Sequence, residues 1–374
     1  MPIEETPKIK LKEGDNEALR SGDGAEIPIF ISATGNETPA SNILQFKKYE
    51  DAKNLPNASS PGIGVAEGNY LLPILKDFFE ENEKINSDDL SAPYVYVKDL
   101  GTATPSTAAS WTNIIPSIKI KKKVQVEAYV FKKTEGVTLA QIEGIMNSVA
   151  EVLQEEFKKC RPRIAYFTIL GLTDAELQDV TDKTKASFIQ NKWVGFVEPH
   201  KFGKHIARIC CTPYYDEPGY YKYRSVNPGE FIERTEQMEE DLQDAGVIFG
   251  HDEQPDENIY PKINLAVSTA FAADPNEREP GSLLHELRNT NQLLRDAVST
   301  VYPQLKRRET EVYLSEVQAD LDLLVTNKIK SGYMKPGTSI IARETEEKPY
   351  KLAFDVHAYP VNSTQLIEFT AYIE

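Results

Sequence analysis

Cysteine is scarce. The 374 residues contain three, Cys160 and the adjacent pair Cys210 and Cys211. That is too few for a disulfide framework and points to folding under reducing conditions, in the cytoplasm of the cell that makes the chain. Histidine is nearly as rare, at five residues. His285-Glu286 is followed at position 289 by Asn, so the H-E-x-x-H spacing of a zinc helix fails. His200 and His205 flank a glycine-containing stretch with no carboxylate or cysteine at ligand spacing. No apolar run approaches the roughly 18 residues of a membrane span, and the opening MPIEETPKIK lacks a signal-peptide core. Basic residues are outnumbered 58 to 42, for a net charge of −16. A field of that sign does not favour nucleic acid. Internal repeats and low-complexity segments are also lacking.

Catalytic patterns are equally thin. No Ser/His/Asp or Cys/His set stands out, and the acids Glu239, Glu240 and Asp241 fit a solvated helical face. The stretch Gly62 to Gly68 (GIGVAEG) has Gly-x-Gly but not G-x-G-x-x-G. The residues before it, NASSP, read as loop, whereas a dinucleotide site needs a strand aiming the glycines at a helix. A surface turn is the simpler reading, and a soluble α/β nucleotide-binding enzyme the alternative. The expectation is a protein that is not an enzyme, with no cofactor, no metal, no nucleic-acid partner and no membrane insertion.

What is present is a rhythm of strands and helices. Ile27 to Ala33, Tyr94 to Val97, Ile118 to Phe131, Arg163 to Leu170, Trp193 to Val197 and Val247 to Phe249 have strand character. Residues 43–52 fit a short helix, and Leu71, Leu72, Leu75, Phe78 and Phe79 mark one side of another over 69–81. Thr138 and Gln141 form a capping box opening a helix whose stripe is Leu139, Ile142, Ile145, Val149, Val152 and Phe157. Thr173 and Glu176 form a second box, opening a helix to about Gln190. His205 to Cys211 is ambiguous between helix and strand. Phe231 to Ala245 reads as an acidic helix, Ile263 to Phe271 as a strand. Leu283, Leu287, Leu294, Ala297, Val298 and Val301 form the inward face of a further helix. The next runs from about Glu311 to Lys330 and stops near Gly332. Three strands follow, Ser339–Arg343, Leu352–Ala358 and Leu366–Ile373. Strand–helix alternation is the mark of an α/β layer.

Both ends have strand patterns of their own. Lys8 to Lys12 alternates Ile9 and Leu11 against lysines, and a polar, glycine-containing linker follows; a disordered tail is the alternative reading of 1–25. Leu366 to Glu374 puts Ile367, Phe369, Ala371 and Ile373 on one face. Short strands of this kind are not stable alone and need a sheet to join.

In this order the parts resemble the tail sheath proteins of contractile phage tails and related injection machines. The resemblance is carried by IPIFISATGNETPASNILQFKKYEDAKNL with YLLPILKDFFEEN and YVYVKDLG, by WVGFVEPHKFGKHIARICCTPYYDEPGYYKY, by EQMEEDLQDAGVIFGHDEQ with YPKINLAVSTAFA, and by DLDLLVTNKIKSGY with FDVHAYPVNSTQLIEFTAYIE. One departure falls in Ile263 to Phe271, where the family often has a Gly-Ala-Arg-Thr-like run and this chain has Leu-Ala-Val-Ser-Thr. The resemblance implies a mixed α/β, multi-layer sheath fold with a βαβ body, a C-terminal α/β domain and extended β arms at both ends. It divides the chain into an N-terminal arm and linker (1–25), a first body part (26–115), a middle α/β domain (116–212), a C-terminal sheath domain (213–358) and an arm strand (359–374), with hinges at 13–26 and 359–365. It implies a helical homopolymer around an inner tail tube protein, with baseplate and tail terminator proteins as further partners, in a virion tail or contractile particle. Ile9, Leu11, Ile367, Phe369, Ala371 and Ile373 become the expected inter-subunit contacts. A ring-forming tail or baseplate component is a further alternative.

Overall fold

The computed structural model describes residues 25–33, 43–53, 70–84, 92–103, 108–113, 118, 124–133, 139–159, 161–173, 176, 193–214, 232, 234–244, 247–251, 262–264, 284–304, 311–345 and 351–361. The strands are β1 (Ile27–Ser32), β2 (Leu44–Phe46), β3 (Val95–Asp99), β4 (Val124–Lys132), β5 (Ile164–Leu170), β6 (Val194–Val197), β7 (Val247–His251), β8 (Lys262–Asn264), β9 (Ser339–Thr345) and β10 (Lys351–His357). The helices are α1 (Tyr49–Lys53), α2 (Leu71–Lys84), α3 (Ala108–Thr112), α4 (Leu139–Lys158), α5 (Phe202–Cys211), α6 (Glu236–Asp244), α7 (Leu284–Val301) and α8 (Glu311–Lys330).

Strands buried on both faces read as continuous apolar runs, and parallel sheets need such strands. β1, IPIFIS, is buried along its whole length and lies between β3 and β4, parallel to both. The sheet order is β2-β3-β1-β4-β5-β6-β7-β8. β1, β3, β4, β5, β6 and β7 are parallel, and the edge strands β2 and β8 are antiparallel. Consecutive parallel strands need crossovers, and α4 supplies the one from β4 to β5. Its buried stripe is Ile142, Ile145, Met146, Val149, Leu153 and Phe157, at the helical spacing read from the sequence. α2 buries Leu71, Ile74, Leu75, Phe78 and Phe79, each large side chain contributing about 1.5–3 kcal/mol of transfer free energy. The mixed α/β class is therefore as expected.

Four local expectations change. Leu44–Phe46 is a strand, not part of a helix over 43–52: it pairs with β3, Phe46 is buried, and the helix is confined to Tyr49–Lys53. A three-residue edge strand is set by its partner, not its own propensity. β4 begins at Val124; Ile118 is helical and buried. His205 to Cys211 belongs to a helix, α5, whose ten residues are all buried. Lys204, His205 and Arg208 lie on one side at helical spacing, a signal that the stretch from His205 to Cys211 is too short to display by itself. α6 starts at Glu236, where Thr235 Oγ1 accepts the Met238 N–H at 3.4 Å.

A second core lies between α7, α8 and the antiparallel pair β9–β10. Leu293, Ala297, Val298 and Val301 meet Tyr313, Val317, Leu321, Val325, Ile340, Ala342 and Phe354. α7 serves both cores, since Leu284, Leu287 and Leu294 belong to the first. α8 ends where expected. Gly332 has φ +76°, its N–H donates to Ile329 O at 3.0 Å, and Tyr333 N–H donates to Lys328 O at 3.0 Å. This pair of bonds is the Schellman motif, and it uses the left-handed conformation that glycine adopts without cost.

Candidate assembly site

The expected contact residues Ile9, Leu11, Ile367, Phe369, Ala371 and Ile373 lie outside the described residues, as does Gly62 to Gly68. The structure does describe the places where the two ends leave the body, and the small sheet beside one of them.

The N-terminal root is at Glu26. Its N–H donates to Cys210 O at 2.8 Å, at the end of α5. Its buried carboxylate accepts from Arg288 Nε at 3.0 Å and Arg295 Nη1 at 3.5 Å. These arginines are seven residues apart on α7, two helical turns, and so share a face. Arg288 also donates to the carbonyls of Thr212 (2.6 Å) and Pro213 (3.5 Å), and Arg295 to Pro162 O at 2.9 Å. Burial lowers the Arg295 pKa from its ordinary value, and the charges of Glu26 and Asp296 oppose that shift. Charges this deep persist only when paired and hydrogen-bonded.

The C-terminal root runs beside the turn after α8. Met334 and Pro360 form an antiparallel bridge. Lys335 N–H donates to Tyr359 O at 2.7 Å, and Val361 N–H to Tyr333 O at 3.3 Å. Tyr359 N–H donates to Thr338 Oγ1 at 3.2 Å. These bonds fix the inner ends of both expected hinge segments, at residue 26 and at 359–361. Lys328 braces the same corner. Its ammonium lies 2.7 Å from Asp296 Oδ2, donates to Tyr214 Oη at 2.6 Å, and sits over the rings of Tyr214 and Tyr333.

β9 and β10 present two edges. In an antiparallel pair, backbone groups of alternate residues point away from the partner strand. At β9 those groups are met by α8: Gln318 Nε2 donates to Ile340 O at 2.9 Å, and Gln318 Oε1 accepts the Ala342 N–H at 2.8 Å. One side-chain amide thus occupies the outer edge of β9. Among the described strands β10 pairs only with β9. Ile341, on the face opposite the core, is 49% exposed, and Tyr359 at the root is 46% exposed.

Away from this region, Glu198 joins His205 (3.1 Å), Arg234 (2.5 Å) and the Gly250 N–H (2.5 Å), tying β6, α5 and β7 together. Burial pushes the Glu198 pKa up, but its hydrogen bond with His205 and the nearby charges outweigh this and leave it below the ordinary value. Among the described residues no group of three His, Cys, Asp or Glu is placed to hold a metal ion, and no helix is long and apolar enough to cross a membrane. Cys210 and Cys211 are buried free thiols.

Glu26, Arg288, Arg295, Asn289 and Gln318 were missed from sequence. Arg288 and Arg295, two turns apart on a helix with apolar residues on several faces, were the available signal. Glu26 beside the first apolar strand was weaker, and Gln318 had none.

No family model and no curated protein matches the sequence. Solved structures do match. The helical sheath of the anti-feeding prophage in its contracted state aligns with a TM-score of 0.59 at 11% identity, covering 97% of each chain. The contracted PVC sheath complex of an extracellular contractile injection system aligns at 0.60 and 11% identity, covering 100% of this chain and 98% of that one. The sheath tail protein of Desulfitobacterium hafniense aligns at 0.55 and 7%, covering 95% and 96%. Over nearly its whole length, this chain has the fold of contractile sheath proteins.

Proposed function

We propose that this chain is the structural subunit of a contractile sheath. It polymerises into a helical tube around an inner tube protein and contracts by rigid-body rearrangement of its subunits. Coverage of almost the entire chain by sheath folds carries this reading. Baseplate and terminator proteins cap the polymer, which belongs to a virion tail or similar particle. The free energy is placed at assembly, so the reading assigns no catalytic step and no cofactor.

In this scheme the terminal strands are arms. Ile9 and Leu11 at one end and Ile367, Phe369, Ala371 and Ile373 at the other add to the small C-terminal sheet of neighbouring subunits by β-augmentation. Gln318 occupies the outer edge of β9, which favours β10 as the acceptor. Four or five main-chain bonds at a net value of roughly 1 kcal/mol each give a few kcal/mol per arm. The proposed units are arm and linker (1–25), body (26–115 and 116–212), sheath domain (213–358) and arm strand (359–374).

Negative-stain electron microscopy of the purified chain tests this, alongside a truncation lacking residues 1–13. The full chain should form tubes, and the truncation should stay a folded monomer. Tubes from the truncation sink the arm assignment. Rings from the full chain point to a tail or baseplate ring instead, and monomers alone overturn polymerisation.

A further inference from the structure

The roots of the two arms lie at opposite ends of the sequence, yet both are held by adjacent residues of one helix. Arg288 grips the N-terminal root, with Nε 3.0 Å from Glu26 Oε2. Asn289 grips the C-terminal root: its Nδ2 donates to Tyr333 O at 2.6 Å, the same carbonyl that accepts the Val361 N–H at 3.3 Å. Both side chains are buried, Arg288 at 1% and Asn289 at 2% exposure; the Arg288–Glu26 bond is shielded from water and the Asn289–Tyr333 bond is part-buried.

We infer that Arg288 and Asn289 form a tension relay, through which pull on one arm passes to the other by way of α7. This rests on the sheath reading, in which both termini are held by neighbours while the bodies rotate. The reason for a relay is mechanical. Without it, tension entering at Glu26 acts on β1, which sits between β3 and β4 in the centre of the main sheet. Tension entering at Val361 acts on β10 in the small sheet. Each pull then works to peel a strand. With it, the force enters α7 at Arg288 and leaves at Asn289, one peptide unit away. α7 is buried in both hydrophobic cores, which keeps it from yielding. Arg295 is a second grip on the same carboxylate, two turns along. Arg288 and Asn289 are therefore positioning residues: they hold the arm roots in place and do not touch the neighbouring subunit.

A structural role alone predicts that losing either grip weakens the fold equally under any kind of unfolding. The relay predicts a selective weakness under tension between the termini. The full chain is held by its two termini in an optical trap, and its unfolding rate at constant force is compared with its unfolding rate in urea. Asn289→Ala is the principal variant, because it removes the donor to Tyr333 and leaves the ion pair intact. Tyr70→Phe is the control. Tyr70 Oη donates to Ala33 O at 2.7 Å, at the opposite end of β1 from Glu26.

Asn289→Ala should speed unfolding under terminal tension at least about tenfold beyond its effect in urea, as expected from lowering that barrier by about 1.4 kcal/mol. Tyr70→Phe should show the same factor in both experiments. Glu26→Gln, where it folds, should behave like Asn289→Ala. If Asn289→Ala and Tyr70→Phe show the same ratio of the two effects, the relay is wrong. The wild-type preparation is imaged for tubes in parallel: lack of tubes counts against the sheath reading and leaves the force measurement to stand by itself.

Discussion

The contact between α2 and α5 makes a sharp prediction about one atom. Gly203 is the second residue of α5, and it lies against the backbone of α2 with no room for a side chain. A Cβ built there would overlap the carbonyl oxygen of Ile74 and lie 2.9 Å from Phe78 N and 3.0 Å from the Ile74 carbonyl carbon. Ile74 and Phe78 are four apart, so that oxygen and nitrogen are the partners of one helical hydrogen bond. The methyl group of Gly203→Ala would press on a rigid backbone, which cannot swing aside as a side chain can. The helices would have to part by roughly 1 Å to restore ordinary contact distances. Parting them strains the buried pair Arg208–Glu81, now 2.5 Å, the Cys211–Asn82 contact at 3.0 Å, and the edge-on packing of Phe30 against Phe78 and Phe202. Overpacking costs about 1–3 kcal/mol. A stretched buried hydrogen-bonded charge pair adds about 1–2 more. We expect a loss of about 2–5 kcal/mol, against the 5–15 typical of whole domains. Urea denaturation should show it as a lower midpoint at unchanged slope. Gly144→Ala is the companion measurement. Gly144 lies within α4, and an added Cβ meets nothing within 4 Å. That variant should be stabilised by about 0.5–1 kcal/mol, since alanine is the better helix former. A Gly203→Ala protein within 1 kcal/mol of wild type, or a destabilised Gly144→Ala, would refute the packing argument.

Three further outcomes follow from the ionic centres and the arms. Glu198 has a pKa depressed below the ordinary 4.5, so its contribution to stability is present above that pH and is lost as pH falls through the folded value. Urea stability should therefore drop below about pH 4.5, and Glu198→Gln should be less stable at neutral pH with a flatter acid limb. Glu26→Gln removes the carboxylate that Arg288 and Arg295 both face and should cost about 3–5 kcal/mol in the same assay; a loss under 1 kcal/mol argues that the arginines are satisfied by carbonyls alone. Phe369→Asp should abolish tubes in electron micrographs while shifting the monomer's melting temperature by no more than about 1 °C, less than about 1 kcal/mol for a chain of this size. Normal tubes from that variant would remove Phe369 from the proposed clasp.

How far the sequence speaks for the structure depends on which interaction decides each element. Where burial decides, the pattern is readable: the stripe from Ile142 to Phe157 is where helical periodicity puts it, and Ile27–Ser32 is the continuous apolar run of a strand buried on both faces. Local chemistry is readable too. Thr173 and Glu176 make the reciprocal capping bonds their spacing predicts, Thr173 N–H to Glu176 Oε2 at 3.0 Å and Glu176 N–H to Thr173 Oγ1 at 3.4 Å. Gly332 ends α8 by the left-handed turn its place suggests. Legibility fails where the deciding partner is distant. Leu44–Phe46 becomes a strand only because β3 offers an edge. α5 carries His205 and Arg208 on one side, yet that side is buried too, its charges meeting Glu198 and Glu81 instead of water. The charges of α7 mislead most. Arg288, Arg295 and Asp296 lie in a helix whose hydrophilic side, by composition, belongs in water. Their partners Glu26, the Thr212 and Pro162 carbonyls and Lys328 come from elsewhere in the chain. No spacing rule connects residue 26 with residue 288. That connection arises when the start of the first strand is laid against the helix both cores share.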